Sequence, residues 1–361
     1  MNETLRTKLR QRLDQPGLVV APGVFDMVSL RLADTFGFDA LYMTGYGTVA
    51  SHMGLPDAGL ATYSDMVGRV TAMAGMAKTP LIADADTGYG GLLNMRHTIR
   101  GYEAAGAAAI QLEDQEFPKK CGHTPGRRVI PMADMVRKIQ VAVDSRTDPN
   151  FLIIARTDAR TTLGLDEALR RAEAYARAGA DILFVESPES EEEMRQIGKS
   201  FDVPLLANMV ERGRTPVLSR ADLESIGYKV AIFPVTALLA AVHAMQSVYQ
   251  EFQTHGSSNK GSTALYDFAD LTKLMGFEDI WEFEKQNAET RLAAQRALKD
   301  AQKQLDSLQS NVNQLMQLTA SVPLSVGQTI PSIQHKSADS GSGFFNLNRL
   351  LEANDGVIID S

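Results

Sequence analysis

Short apolar runs recur along the first 250 residues, and each is followed by glycine or polar residues and then by a stretch with helical spacing. Runs this short and this apolar are typical of strands buried on both faces, although periodicity alone does not separate them from buried helix. Residues 165–178 illustrate the helical stretches, since their apolar positions form one stripe and Gly179 follows as a stop. The eight runs are residues 18–20, 40–43, 81–83, 109–112, 152–155, 182–185, 205–207 and 230–233.

Eight strand candidates that alternate with helices predict an α/β fold, a parallel (β/α)8 barrel of the TIM type, over residues 1–250. On the pattern alone, a doubly wound open sheet is the alternative. In a parallel barrel all strands end at one rim, where the following loops build the functional site. Polar residues follow six of the runs at this rim: Thr44, Gly45 and Tyr46; Asp84 and Asp86; Glu113; Arg156; Glu186; and Asn208.

The acidic residues after the third and fourth runs point to a metal site. Each of Asp84, Asp86 and Glu113 could by itself be a helix cap or a solvated loop residue. Together, on adjacent strands, they bring several carboxylate oxygens to one point, and a few such ligands suit Mg²⁺, which keeps water in its coordination shell. Zinc is disfavoured, because the chain has only 6 histidines, without ligand spacing, and a single cysteine.

The segment Lys119-Lys120-Cys121-Gly122-His123 contains the only cysteine of the chain. Cys121 could be a small buried apolar residue beside solvated lysines. We favour a functional thiol, because the segment lies just after the fourth run and its neighbouring cations favour the thiolate form. The spacing leaves open whether the thiol acts as a nucleophile or as a proton donor and acceptor.

Composition and charge exclude several classes of partner. The chain has 36 Lys and Arg against 44 Asp and Glu, a net charge of −8, and no basic block longer than two residues, which argues against nucleic acid. A single cysteine excludes an internal disulfide and fits a reducing compartment. The start of the chain has no apolar signal-peptide core, and no run is long enough to span a bilayer. We therefore expect a soluble, cytoplasmic protein that does not bind membranes.

The composition changes near residue 290, from Gly- and Ala-rich to Gln-, Leu- and Ser-rich. Residues 291–319 are predicted to form a heptad helix and a short coiled coil. Residues 320–343 are rich in Ser, Pro and Gly and predict a flexible linker. Residues 344–361 either fold back on the barrel or dock on another subunit or protein. The heptad positions are Ala294, Leu298, Ala301, Leu305, Leu308, Val312 and Leu315.

Five motifs, ADADTGYGG, QLEDQ, KKCGH, ARTDA and LFVESPE, resemble the isocitrate lyase/phosphoenolpyruvate mutase superfamily, roughly over residues 5–290. KKCGH together with EDQ at this separation is a specific signal. Within the superfamily the chain is most similar to the short lyases that act on 2-methylisocitrate or 2,3-dimethylmalate. Oxaloacetate hydrolases carry the same Cys-Gly-His loop and stay close alternatives, whereas phosphonomutases generally lack it.

The resemblance implies a carbon–carbon lyase that depends on Mg²⁺, with Mn²⁺ as a substitute. Such an enzyme cleaves a 2-hydroxy di- or tricarboxylate to a 2-oxo acid such as pyruvate and a second carboxylate. It also implies that the helical segment 251–290 is exchanged between subunits of a dimer or tetramer, although an ordinary covering helix is the alternative. The implied metal ligands are Asp57, Asp84, Asp86 and, through water, Glu113. The implied substrate-binding residues are Thr44, Gly45, Tyr46, Gly122, Arg156, Glu186, Asn208 and Thr215. The implied catalytic residues are Cys121, as general acid and base, with Lys119, His123 and Glu113.

Two departures from the pattern bear on the substrate. Arg212 stands where the family has glycine, which would place a bulky cation near the far carboxylate of the substrate. Thr124-Pro125 follows Cys-Gly-His where 2-methylisocitrate lyases usually have arginine, which favours a dicarboxylate such as 2,3-dimethylmalate. A barrel scaffold that acts through its C-terminal tail is the non-enzyme alternative. The intact acidic and cysteine motifs favour the enzyme.

Overall fold

The computed structural model describes residues 4–122, 126–259 and 261–321 of the chain. His123 and Thr124-Pro125, the linker from residue 322 onward and the segment 344–361 therefore lie outside the described residues. The chain divides into two units, Met1–Trp281 and Glu282–Ser361.

Within the described residues of the first unit, eight strands coincide with the eight predicted apolar runs. They are β1 Val19–Val24, β2 Leu41–Met43, β3 Leu81–Asp84, β4 Ala109–Glu113, β5 Leu152–Thr157, β6 Ile182–Val185, β7 Leu206–Asn208 and β8 Val230–Phe233. They pair in parallel in the order β6-β5-β4-β3-β2-β1-β8-β7. A parallel bridge between Leu183 and Leu205 links β6 to the start of β7. This order confirms the predicted barrel and excludes the doubly wound sheet.

Helices connect the strands. They are α1 Leu5–Asp14, α2 Met27–Ala33, α3 Gly45–Met53, α4 Tyr63–Met76, α5 Leu92–Ala104, α6 Met132–Ser145, α7 Arg160–Leu163, α8 Leu165–Arg177, α9 Glu191–Gly198, α10 Arg220–Ile226, α11 Thr236–His255, α12 Phe268–Leu274 and α13 Phe277–Ala320. Several begin at a side chain that accepts a hydrogen bond from the first turn, as Thr62 does for α4 and Ser190 for α9. Others end at a left-handed glycine, as α3 does at Gly54.

The strands are apolar on both faces because the barrel has two cores. Along β5, Leu152 and Ile154 pack inside the barrel, whereas Ile153 and Ala155 pack against the helices. Leu9 of α1 is fully buried in the inner cluster. Strands buried on both sides lose the alternation of polar and apolar residues, which is why their runs in the sequence are continuous.

The helices that follow β8 present apolar side chains to solvent. No residue of α11 is buried. Its Tyr249 is 64% exposed, and Phe268 of α12 and Trp281 at the start of α13 are 80% and 54% exposed. Large apolar side chains exposed together are typical of a protein–protein contact surface.

The predicted heptad segment belongs to a longer helix. α13 continues through residue 290 and reaches Ala320, 44 residues in all. Its heptad leucines and valine lie on the surface, between 41% exposed at Leu298 and 62% at Leu315. Among the described residues, no helix is both long enough and apolar enough to cross a membrane.

The exposed heptad positions of α13 predict self-association. Replacing Leu305 and Leu308 by glutamine in the full chain should lower the mass of the assembly in solution, because an isolated helix with this apolar side is marginal in water and pairing would bury it. Light scattering measures the mass. Ser307→Gln with Ser310→Gln, off the heptad positions of the same helix, is the matched control and should leave the mass unchanged. Equal masses for all three proteins would reject the pairing.

Candidate active site

A cavity of about 290 Å³ opens where the strands end. Its lining includes ten of the residues predicted for the site: Thr44, Tyr46, Asp57, Asp84, Glu113, Lys119, Cys121, Gly122, Arg156 and Asn208. Gly45, Asp86 and Glu186 lie behind this lining and contact it through hydrogen bonds or ion pairs. Thr215 is buried but is not part of the lining. The topology thus brings most of the predicted residues together.

Asp84, at the end of β3, is held by hydrogen bonds from three sides. It accepts from the backbone N–H groups of Gly45 at 3.2 Å and Asp86 at 3.1 Å, and from Nε2 of Gln111 at 3.2 Å. Tyr42 in turn donates to Oε1 of Gln111 at 2.6 Å. A Cβ atom on Gly45 would lie 2.5 Å from Oδ2 of Asp84, so α3 must begin with glycine to bring its N-terminus this close.

Lys119 lies between two of the predicted metal ligands. Its ammonium forms ion pairs with Asp57 and, at 2.6 Å, with Asp86, and all three side chains are nearly withdrawn from solvent. Burial alone would lower the pKa of Lys119, but the surrounding carboxylates, led by Asp86 and Asp57, outweigh it and raise that pKa well above the ordinary value. Burial raises the pKa of Asp86 to about 7, against the opposing effect of Lys119. One buried cation therefore balances two acids here.

Arg156, at the end of β5, is oriented by Asp158. Its Nε and Nη2 atoms each donate to Asp158 at 2.9 Å, and it lies 3.5 Å from both Glu113 and Glu186. The guanidinium also stacks over the ring of Phe184, 5.1 Å from its centroid. Burial raises the pKa of Glu113 well above its ordinary value, although Arg156 opposes this.

The segment that contains Cys121 is hydrogen-bonded to residues of the same rim. The side-chain amide of Gln115 makes two hydrogen bonds to the backbone of Lys120, at 2.8 and 2.9 Å. Oγ of Ser187 lies 3.1 Å from the carbonyl oxygen of Gly122. Cys121 is partly exposed and lines the cavity. The loop therefore brings the thiol to the same space as Lys119 and Arg156.

Sequence reasoning missed residues that only act through their neighbours. Gln111 orients Asp84, and Asp158 orients Arg156. Both residues lie within the motifs QLEDQ and ARTDA, and this was the sign in the sequence that could have pointed to them. No motif pointed to Tyr42, which the sequence places only within a predicted strand. Part of the cavity wall was also missed: Val210, Glu211, Ile232, Pro234, Val235, Leu238 and Leu239. Arg212, expected beside the far carboxylate of a substrate, is exposed and is not part of the cavity lining.

Backbone strain is concentrated at this rim. Among the described residues, four that are not glycine have a left-handed φ: Asp86, Tyr89, Ser187 and Arg212. They follow β3, β6 and β7, on the side of the barrel where the cavity opens. Arg212 has a φ of 59°, and glycine adopts this conformation more readily than other residues, which explains why glycine is expected at this position. Such backbone conformations persist only where surrounding contacts enforce them, and they are typical of functional sites.

Residues 9–253 match the protein family described as phosphoenolpyruvate phosphomutase. The chain belongs to the phosphoenolpyruvate mutase/isocitrate lyase superfamily. The assignment from the motifs is thereby confirmed. The chain is 48% identical over 284 residues to the 2,3-dimethylmalate lyase of Eubacterium barkeri, covering 79% of this chain and 98% of that protein. It is 41% identical over 290 residues to the 2-methylisocitrate lyase of Aeropyrum pernix, covering 80% and 92%.

A solved structure of a superfamily member has the same fold. The oxaloacetate acetylhydrolase in complex with the inhibitor 3,3-difluorooxalacetate superposes with a TM-score of 0.75 at 33% identity, covering 80% of this chain and 99% of that one. Named superfamily relatives thus act on small carboxylates. About a fifth of this chain lies outside each of these matches.

The donor chemistry of the rim fits a hard cation, as expected for this superfamily. Asp57, Asp84 and Glu113 line the cavity with carboxylate oxygens, and Oε1 of Glu113 is buried without a hydrogen-bond partner among the described residues. In the same part of the chain, no group of three or more acidic, His or Cys side chains is arranged to hold a metal. Carboxylate oxygens are hard donors, and Mg²⁺ combines such donors with oxygens of water and substrate.

The close packing of Gly122 yields a test of the site. A Cβ atom at this position would clash with Nη2 of Arg156 and would lie 2.9 Å from Cδ of Glu186. Gly122→Ala should displace Arg156 and weaken the binding of a small dicarboxylate about tenfold, comparable to the loss of one charged hydrogen bond. Calorimetric titration with oxalate in the presence of Mg²⁺ measures the affinity.

Gly75→Ala is the matched control, because Gly75 lies within α4 and nothing lies within 4 Å of an added Cβ. This variant should bind oxalate like the unmodified chain. Equal affinity in the Gly122 variant would show that Arg156 does not hold the anion.

Proposed function

We propose that the chain is a Mg²⁺-dependent carbon–carbon lyase. Its substrate would be a 2-hydroxy dicarboxylate of the 2,3-dimethylmalate type, and its products a 2-oxo acid such as pyruvate and a saturated carboxylate. The observation that carries the proposal is the cavity, whose lining includes the thiol of Cys121, the cations Lys119 and Arg156 and the acidic donors. The 48% identity to a 2,3-dimethylmalate lyase supports the same reaction class.

The remaining wall supports a dicarboxylate with alkyl substituents. It is formed after β7, by β8 and by the start of α11: Val210, Ile232, Pro234, Val235, Leu238 and Leu239. Glu211 is the charged residue of this part of the lining. A third carboxylate would meet apolar side chains and the negative charge of Glu211, which is unfavourable in a partly dry cavity. Methyl groups would be well accommodated.

The residues of the rim divide the chemistry between them. The carboxylate next to the hydroxyl-bearing carbon would pair with Arg156, whose planar guanidinium suits bidentate binding. Glu113 would accept the proton of the 2-hydroxyl, since its Oε1 has no hydrogen-bond partner among the described residues. The bond between C2 and C3 then breaks, C2 becomes a carbonyl, and the electron pair moves to C3. Lys119 and Lys120 would stabilise this negative charge.

Cys121 would complete the reaction by giving its thiol proton to C3, which yields the saturated carboxylate. Mg²⁺, when bound, supplies positive charge for the hydroxyl and carboxylate oxygens and lowers the cost of removing the hydroxyl proton. Asp57, Asp84 and Asp86 are the residues that would hold it, with Glu113 acting through water. Asp57 and Asp86 would then share their charge between the cation and Lys119.

We further propose that the barrel forms a homo-oligomer through the helices after β8. The exposed apolar side chains of α11, α12 and the start of α13 supply a surface that a second copy would cover. Exchange of the 251–290 segment between subunits would achieve this.

A substrate panel tests the proposed reaction. With Mg²⁺ present, the chain should turn over 2,3-dimethylmalate faster than 2-methylisocitrate, isocitrate or oxaloacetate, with the released acids separated and measured by chromatography. Excess EDTA should abolish turnover, and Mg²⁺ or Mn²⁺ should restore it. Preference for oxaloacetate would favour a hydrolase, preference for 2-methylisocitrate a tricarboxylate lyase, and inertness towards all four the scaffold alternative. Full activity in EDTA would remove the metal from the proposal.

Cys121→Ser should separate binding from turnover. A hydroxyl is a far weaker acid than a thiol, so we expect kcat to fall about hundredfold or more while calorimetric affinity for oxalate stays the same. Cys121→Ala should lose as much, because neither side chain can donate the proton. If kcat is unchanged in both variants, Cys121 only packs.

A further inference from the structure

The loop that bears Cys121 has two arms, an outgoing arm after β4 and a returning arm before α6. The two arms run antiparallel at the base of the loop. Gln115 and Val129 form an antiparallel bridge at its base. The N–H of Glu116 donates to the carbonyl of Arg128 at 2.8 Å, and the N–H of Ile130 donates to that of Asp114 at 2.9 Å. The base is thus a short ladder. Cys121 lies beyond this ladder on the outgoing arm, between Lys120, which Gln115 binds, and Gly122, which Ser187 binds.

Besides this ladder, a buried ion pair attaches the returning arm to the barrel wall. Arg127 is 4% exposed, and its Nη1 donates to Oδ1 of Asp158 at 2.6 Å. The same oxygen accepts from Nη2 of Arg156, while Oδ2 accepts from Nε of Arg156. One fully buried carboxylate therefore joins the Cys121 loop to the arginine of the cavity.

Asp158 is itself rigidly placed. Its backbone N–H donates to Oδ1 of Asp114 at 2.8 Å, and Asp114 also accepts from Tyr175 and Arg171 of α8. Burial alone would raise the pKa of Asp158, but Arg156 and Arg127 outweigh it and lower that pKa, so the group is a carboxylate. The anchor is fixed to the barrel wall and not to the loop.

We propose that Arg127 is a positioning residue for Cys121: its ion pair with Asp158 fixes the returning arm, and Nζ of Lys120, next to Cys121, donates to the carbonyl of Gly126 on that arm at 3.1 Å. The expected effect of Arg127 on turnover rests on the proposed function, whereas its expected effect on the position of Cys121 does not. Burial distinguishes Arg127 from its neighbour. Arg128 has the same charge and sits one residue away, yet its side chain is 78% exposed and pairs with the surface residue Glu116. An exposed pair of this kind contributes little.

Removing Arg127 leaves no buried charge without a partner. Asp158 keeps both hydrogen bonds from Arg156, and methionine fills much of the space of the arginine stem. The barrel should therefore still fold in Arg127→Met, while the returning arm loses its buried attachment. Arg128→Met is the matched control.

Thiol labelling measures the loop directly, because Cys121 is the only cysteine in the chain. With iodoacetamide and the full chain, Arg127→Met should be alkylated several-fold faster than the unmodified protein, and Arg128→Met at the unmodified rate. Equal rates for Arg127→Met and the unmodified protein, with the thermal midpoint retained, would overturn the proposal. If Arg127→Met does not fold, Arg127→Gln, which removes the charge but keeps a polar side chain, decides: a faster rate supports the anchor, and an unchanged rate overturns it.

Steady-state kinetics on the substrate identified from the panel give the second readout. Arg127→Met should lower kcat about ten- to hundredfold through misplacement of the thiol, with KM nearly unchanged because Arg156 stays oriented. Asp158→Asn should raise KM as well, since Arg156 then loses its partner. A rise in KM without a loss of kcat in Arg127→Met would contradict the proposed role. If the unmodified chain turns over none of the panel, the proposed function fails, and the labelling rates still decide the anchor.

Discussion

Charges buried at the ends of parallel strands persist only where each is balanced by a neighbour, because water no longer solvates them. This constraint organises the rim of the barrel. Asp158 lies between the guanidinium groups of Arg156 and Arg127, and Lys119 lies between Asp57 and Asp86. Each charge thereby fixes the position of the next one. These ion pairs determine the geometry of the cavity more than the loops that carry the residues do.

The same constraint sets demands on the backbone. Gly45 and Gly122 have no side chain because Asp84 and Arg156 occupy the space that a Cβ would take. Asp86 and Ser187 accept a left-handed backbone at two of the strand ends. Each of these costs conformational free energy, which the buried ion pairs and the double core of the barrel offset. Strain and close packing at one rim are therefore consequences of assembling many charged groups there.

The cavity combines two kinds of surface that suit different parts of one small molecule. Cations and acidic donors come from the ends of β3 to β5, the segment after α3 and the Cys121 loop, and the apolar wall comes from the segment after β7, from β8 and from α11. A carboxylate-bearing substrate with alkyl groups matches both. Superfamily relatives with different carboxylate substrates in their names share this fold, and we propose that side chains of the cavity lining such as Val210 and Leu239, and not the barrel, set the specificity.

The sequence by itself determined the eight strands, their closure into a barrel, the superfamily and most of the lining, because buried strands and rim motifs are local signals. It did not determine that Arg127 points inward and Arg128 outward, or that Asp158 joins two arginines. Neighbouring arginines look alike in a sequence. Which one is buried depends on a carboxylate 31 residues away, and that distance closes only when the strands pair side by side.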